Sequence, residues 1–127
     1  MSEPIEPKKI IEPDKWKSFL DDFSNRNRAR RARFNIFFAS GETVEEAEEG
    51  HLESISLNKD GNKTQVIIKR GDRSSGTDGE TMVDTIEGVR GIDVQFETDG
   101  SENALEITDS KNTLLSLRFE SKLDGNS

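Results

Sequence analysis

The sequence predicts an α+β fold: an N-terminal amphipathic helix followed by about six antiparallel strands, in a strongly bent sheet or partly closed barrel. Three observations predict it. Trp16, Phe19, Leu20 and Phe23 recur at i, i+3, i+4 and i+7, which lines one face of a helix. From Arg30 onward the apolar period changes to two, the spacing of strands. Asp-Gly pairs at 60–61, 78–79, 99–100 and 124–125 punctuate the later runs as hairpin turns do.

Residues 1–12 carry Pro4 and Pro7 and show no period, so they read as a flexible leader with Ile10 and Ile11 tucking onto the domain. Pro13 suits the first position of a helix, where its missing N–H costs nothing. The helix then runs from 13 to about 26, with Lys15, Lys17, Ser18, Asp21 and Asp22 on its polar face. In the next segment, 30–38, Ala32, Phe34, Ile36 and Phe38 share one strand face while Arg31, Arg33, Asn35 and Phe37 share the other. "SGETVEEAEEG" (40–50) offers Thr43 and Glu46 at capping-box spacing and predicts a short surface helix or a charged loop.

Strand patterns recur at 51–58, 64–70, 81–86, 89–97, 103–109 and 113–120, with a polar loop at 71–80. Several of these carry apolar residues on both faces, as Val66 beside Ile67 and Leu114 beside Leu115 show. An open sheet with one wet face would not need that; a bent sheet or a partly closed barrel would. The expected organisation is a leader (1–12), one domain (13–120) and a flexible tail (121–127).

Leu, Ile, Val and Phe number 8, 10, 5 and 7, so 30 of 127 residues. That fraction exceeds the level of about 20% below which chains stay disordered. Cysteine is absent, which excludes disulfides, thiolate metal sites and cysteine nucleophiles. Residues 1–15 hold no apolar run like a signal peptide, and nothing approaches the roughly 18 apolar residues of a membrane span. The expected compartment is the cytoplasm, without membrane contact.

Catalytic patterns are sparse. The one histidine, His51, could pair with Ser74 or Ser75, but "DRSSG" is a run of turn residues, not a nucleophile elbow. Asp99, Glu102 and Asp109 lack the alternating ligand spacing of a calcium loop and read as turn acids. "RGDRSSGTDGE" lacks the Lys-Ser/Thr ending of a phosphate-binding loop. The expectation is a protein that is not an enzyme and carries no metal or cofactor, with an unrecognised hydrolase as a third reading.

Four segments in order, "IIEPDKWKSFLDDFSNRN" (10–27), "EEAEEGHLESIS" (45–56), "TIEGVRGIDVQ" (85–95) and "NALEITDSKNTLLSLRF" (103–119), carry a resemblance over residues 10–120. Together they resemble a family of small uncharacterised bacterial proteins classed as a domain of unknown function. The resemblance implies a small soluble bacterial protein and transfers no activity or site residue. Relatives tend to be histidine-rich just before "TIEG", where this chain reads "TMVD".

One local feature stands out. The net charge is -8, yet residues 1–33 carry nine Lys/Arg against six Asp/Glu, and five arginines fall between 26 and 33. Arg26, Arg28, Arg30, Arg31 and Arg33, with Phe37 as a stacking ring, form a possible interaction surface. The leading reading is structural and pairs them with Glu42, Glu45, Glu46, Glu48 and Glu49, since a network of such ion pairs can fix how a segment docks. As a surface they would suit a protein partner with an acidic face. Single-stranded nucleic acid is the alternative ligand, disfavoured because the arginines alternate between strand faces and the net charge repels a polyanion. The functional expectation is a non-catalytic binding or regulatory interaction module.

Overall fold

A computed structural model of the chain describes residues 8–46, 50–71 and 81–119. Pro13 opens a 3-10 turn (Pro13–Lys15) that runs into α1 (Trp16–Arg26), whose Trp16, Leu20 and Phe23 are buried. Burying each such side chain contributes roughly 1.5–3 kcal/mol. Trp16 also donates its indole N–H to the Ile11 carbonyl at 3.0 Å, which satisfies its one polar group. Asn27 ends the helix by donating both its backbone N–H and its side-chain amide to the Phe23 carbonyl. No helix among the described residues is long and apolar enough to cross a membrane.

Nine strands follow the order β1 (Lys8–Ile11), β7 (Val89–Phe96), β8 (Glu102–Asp109), β9 (Leu114–Phe119), β2 (Arg31–Phe37), β4 (Gly50–Asp60), β5 (Lys63–Gly71) and β6 (Thr81–Glu87), with β3 (Thr43–Glu45) paired beside β2. Every pairing is antiparallel. The sheet forks at β2. Arg31 and Ala32 pair with β4, but residues 35–37 give the same edge to β3. Beyond that two-residue join, β1-β7-β8-β9-β2-β3 forms one arm and β4-β5-β6 the other.

The chain reunites the arms at their far ends. β6 stops at Glu87 and β7 begins at Val89, with Gly88 alone between them at φ +67. Only glycine adopts that conformation without a Cβ penalty, and a Cβ there would meet the Ser110 hydroxyl at 2.7 Å. Because β6 and β7 lie near opposite ends of the strand order, the sheet must fold over on itself. It is not closed into a barrel: β1 and β6 remain its two outer strands.

The apolar faces of the arms meet inside. Val94, Leu105, Leu117 and Phe34 stand in register across β7, β8, β9 and β2, all buried. Leu52, Ile55, Val66, Ile68 and Ile86 supply the other side of the core. Helix α1 fills the fork. Where β2 has left the edge of β4, the Ile55 N–H donates to the Ser24 hydroxyl at 3.1 Å, and the Ala29 N–H donates to the Leu52 carbonyl at 2.8 Å.

The structure thus has one helix and more strands than the six expected. Residues 8–11 of the expected leader form β1, with Ile11 buried and Ile10 exposed. A four-residue strand with one inward side chain has no readable period. Residues 43–45, expected as a short helix or charged loop, form a fully exposed strand on the β2 edge that β4 vacates. Phe38, expected to share a strand face with Ala32, Phe34 and Ile36, lies past the end of β2 and is exposed.

The helix–fork contact gives a direct test. Ser24→Ala leaves the Ile55 N–H buried without an acceptor, which should cost about 1–3 kcal/mol. Urea unfolding should show that loss with an unchanged m-value.

Candidate functional site

The structure divides the arginine-rich segment between two sides of the sheet. On the helix side, Arg26 makes a bidentate pair with Glu102 (Nε to Oε1 3.2 Å, Nη2 to Oε2 2.7 Å), and Asn27 donates to the same carboxylate at 2.8 Å. Strand alternation from Ala104 would turn Glu102 away from the helix. A register shift between Gln95 and Phe96 opposite β8 re-aims it, a common use of a β-bulge. Arg30 donates to Asn27 Oδ1 at 2.9 Å and to the Glu102 carbonyl at 2.8 Å, and its guanidinium lies 4.4 Å over the Phe119 ring. Burial would raise the Glu102 carboxyl, but the bonds from Arg26 and Asn27 outweigh it and hold it below the usual range. A concavity of about 410 Å³ opens here, and its charged groups already bond one another. Arg28 reaches Asn25 at 3.4 Å.

On the other side of the sheet, Arg31, Arg33, Asn35 and Phe37 alternate with the buried Ala32 and Phe34, as the spacing predicts. This is the outer face of the larger arm; α1 and the smaller arm lie against the inner one. Its rows follow from the register. Lys8, Gln95, Ala104, Arg118 and Arg33 form one; Ile10, Asp93, Glu106, Ser116 and Asn35 form the next. Arg33 therefore stands directly opposite Arg118, while also reaching Glu45 at 3.3 Å. Phe37 stands opposite Leu114 at the far end of the face.

The expected pairing of the arginines with the acidic segment is found for Arg33 and Glu45. Glu46 turns elsewhere, and Glu48 and Glu49 lie outside the described residues, as do Ser74 and Ser75. The partner of Glu46 is Arg70, fully buried in β5. Arg70 makes a bidentate pair with Glu46 (2.9 and 3.0 Å), bonds Asp84 at 3.1 Å and the Ala32 carbonyl at 3.1 Å, and stacks 4.7 Å from the Phe34 ring. Burial lowers its pKa, but the bonds to Glu46 and Asp84 more than compensate and leave it raised. Sequence reasoning passed over Arg70, although Val66, Ile68 and Arg70 share one strand face and an arginine in a core row is a signal.

The outer face holds a second buried group. Glu106 is 8% exposed and stands opposite Asp93, with Gln95 donating to Glu106 Oε2 at 2.9 Å and Lys8 at 3.7 Å from Asp93. Burial, then the hydrogen bond and negative charge of Asp93, push the Glu106 carboxyl up. In the same row Asp93 Oδ1, Ser116 Oγ and Asn35 Oδ1 are buried without a hydrogen-bond partner. Asp99 and Asp109 are turn acids as expected: Asp99 accepts from the Ser101 N–H, and Asp109 from those of Lys111 and Thr113. His51 stands half-buried opposite Arg31. Among the described residues no three His, Cys, Asp or Glu side chains gather as a metal site.

Comparison of the chain with family models, with curated proteins and with solved structures finds no match.

Two expectations follow. Glu46→Gln should cost about 2–4 kcal/mol, less than the full loss of a buried pair because Asp84 stays on Arg70; chemical denaturation would measure it. Glu102 and Glu106 should give opposite pH dependences. Glu102, lowered in the fold, stabilises above its unfolded pKa and loses that contribution as pH falls through its folded value. Glu106, raised in the fold, stabilises at acid pH and loses that contribution as pH rises through its folded value. Glu102→Gln should therefore destabilise most at neutral pH, and Glu106→Gln should stabilise there; thermal unfolding from pH 4 to 8 checks both.

Proposed function

We propose that the protein is a non-catalytic binding module that takes an acidic segment of a partner protein on the outer face of its larger arm. The observation that carries this reading is the pair Arg33 and Arg118, directly opposite each other in register on the outer face. Like charges so placed cost stability, and a sheet selected only for stability would set an acid across from an arginine. A local rule broken there fits a site where a ligand adds negative charge to that already supplied by Glu45. Phe37 and Leu114, neighbours across the strands on the same face, offer an apolar contact beside the charges.

The nucleic-acid reading draws less support from the same residues. Arg26 and Arg30 lie on the helix side, bonded to Glu102. Glu45 and Asp93 lie among the cations of the outer face, where they would repel a phosphate backbone. The cytoplasmic, bacterial setting implied by the family resemblance and the lack of cysteine belongs to this proposal.

Fluorescence anisotropy with a labelled acidic decapeptide, against a single-stranded DNA decamer, tests it. The peptide should bind, and Arg118→Gln should weaken binding about tenfold while leaving stability unchanged or raised by about 0.2–1 kcal/mol, since repulsion across the strands is relieved. Equal peptide affinity in the variant, or tighter binding of the DNA, would overturn the proposal.

A further inference from the structure

We propose that the free edge of β6 pairs with the same edge of a second copy of this chain, antiparallel about Val83, so that two sheets join into one. The proposal stands on the sheet edge and does not depend on the docking reading.

β6 is one of the two outer strands, and among the described residues no strand pairs with its far edge. Sheet proteins usually blunt such an edge with short strands, lysines, prolines or bulges. The other outer strand, β1, has four residues and carries Lys8 and Lys9, and the side strand β3 has three residues. β6 has none of these devices. Its seven residues, TMVDTIE, pair one for one with β5 and include no lysine or proline. Its inward charge, Asp84, is already bonded to Arg70 at 3.1 Å.

The register decides which backbone groups the edge presents. β4 and β5 turn on Gly61, at φ +67, and Asn62, so the closing pair Asp60 and Lys63 is hydrogen-bonded. Bonded and non-bonded pairs then alternate along antiparallel strands. Along β5, Val66, Ile68 and Arg70 therefore turn their N–H and C=O groups to β6, where they meet Ile86, Asp84 and Met82. Thr81, Val83, Thr85 and Glu87 aim theirs outward. The side chains of the same four residues are exposed, Val83 at 54%.

This edge fits itself. Thr81, Val83 and Thr85 read the same in both directions. A two-fold axis beside Val83 sets Val83 against its own counterpart and Thr81 against the partner's Thr85. Every such pair exchanges two backbone hydrogen bonds, and valine and threonine pairs across strands are favourable. No like charges face each other in this register, although each chain carries -8. An acidic segment would instead meet Asp84 and Glu87 here, so the edge does not serve the ligand proposed for the outer face. A strand edge of this length buries less than the roughly 1,200 Å² of a stable interface, so the dimer is weak.

Sedimentation equilibrium of the full chain should show a monomer–dimer equilibrium with half-association between about 10 μM and 1 mM. Val83→Lys puts like charges opposite each other and should weaken association roughly tenfold or more, with an unchanged thermal midpoint at low concentration. Ile10→Lys, on the exposed outer strand β1, should associate as the wild type does. The chain has no cysteine, so single cysteines report the register. Bonded partners have Cα atoms about 5.5 Å apart, within disulfide reach. Val83→Cys should therefore give a covalent dimer under mild oxidation. Thr85→Cys should stay largely monomeric, since its counterpart would lie roughly 13 Å away. A chain that remains monomeric to about 1 mM, a dimer that survives Val83→Lys, or equal cross-linking of the two cysteine variants overturns the proposal.

Discussion

β2 has one edge to offer two strands, and the rest of the architecture follows from how that conflict is resolved. β4 takes two residues of the edge and β3 takes three. The parting leaves backbone groups of β4 without a strand partner in the interior, where each would cost about 1–3 kcal/mol. Ser24 and the chain leaving α1 supply those partners, which is why the helix sits over β4. Arg70 holds the junction from within. From β5 in the smaller arm it reaches the Ala32 carbonyl and the Phe34 ring of β2, Glu46 just beyond β3, and Asp84 of β6. Gly50, the residue paired with Ala32, has no room for a Cβ: one would stand 2.9 Å from the Arg70 Cβ and 2.6 Å from Met82 Cε. The join is two residues wide, but a buried arginine crosses it.

The arginines near the N-terminus divide their labour along the same line. Arg26 and Arg30 fasten the end of α1 to the bulged start of β8. Arg26 lies at the helix C-terminus, where the unpaired carbonyls also favour a cation. Arg31 and Arg33 emerge on the opposite side of the sheet, Arg31 opposite His51 and Arg33 opposite Arg118, in the row that Lys8 begins. A run that is continuous in sequence therefore serves as a clamp at one end and as part of a surface at the other.

Much of the helix and most strands could be read from periodicity, because Trp16, Leu20 and Phe23 and the alternating runs of β2, β5, β7 and β9 each bury one clear face. β1 and β3 escaped because an edge strand of three or four residues buries one side chain or none, and periodicity records only burial. The number of strands was therefore underestimated while their antiparallel class was not. Among the candidate residues, the alternation of Arg31, Arg33 and Phe37 to one face was readable. The opposition of Arg33 to Arg118 was not, since it depends on β2 pairing with β9 across some eighty residues of chain, and register is a property of the folded sheet. Glu102 shows the same limit: spacing suggests a turn acid, and the bulge that points it at Arg26 leaves no mark in composition. Arg70 differs, because its position in a core row was visible and an arginine there requires buried acids somewhere.

The two sides of the sheet place charge under opposite rules. Inside, Arg70 meets two carboxylates, a backbone carbonyl and an aromatic ring, because an unpaired charge in the core would cost more than the fold could absorb. Outside, the sheet tolerates two arginines face to face and an acid pair with an unbonded oxygen, each unfavourable by itself. A domain of this size has only about 5–15 kcal/mol of stability to spend, so such arrangements persist where the rest of the fold is overdetermined. β7, β8, β9 and β2 meet that condition, since they are paired on both edges and bury Val94, Leu105, Leu117 and Phe34 on their inner faces. Rigid strands hold the outer charges in place whether or not they are neutralised.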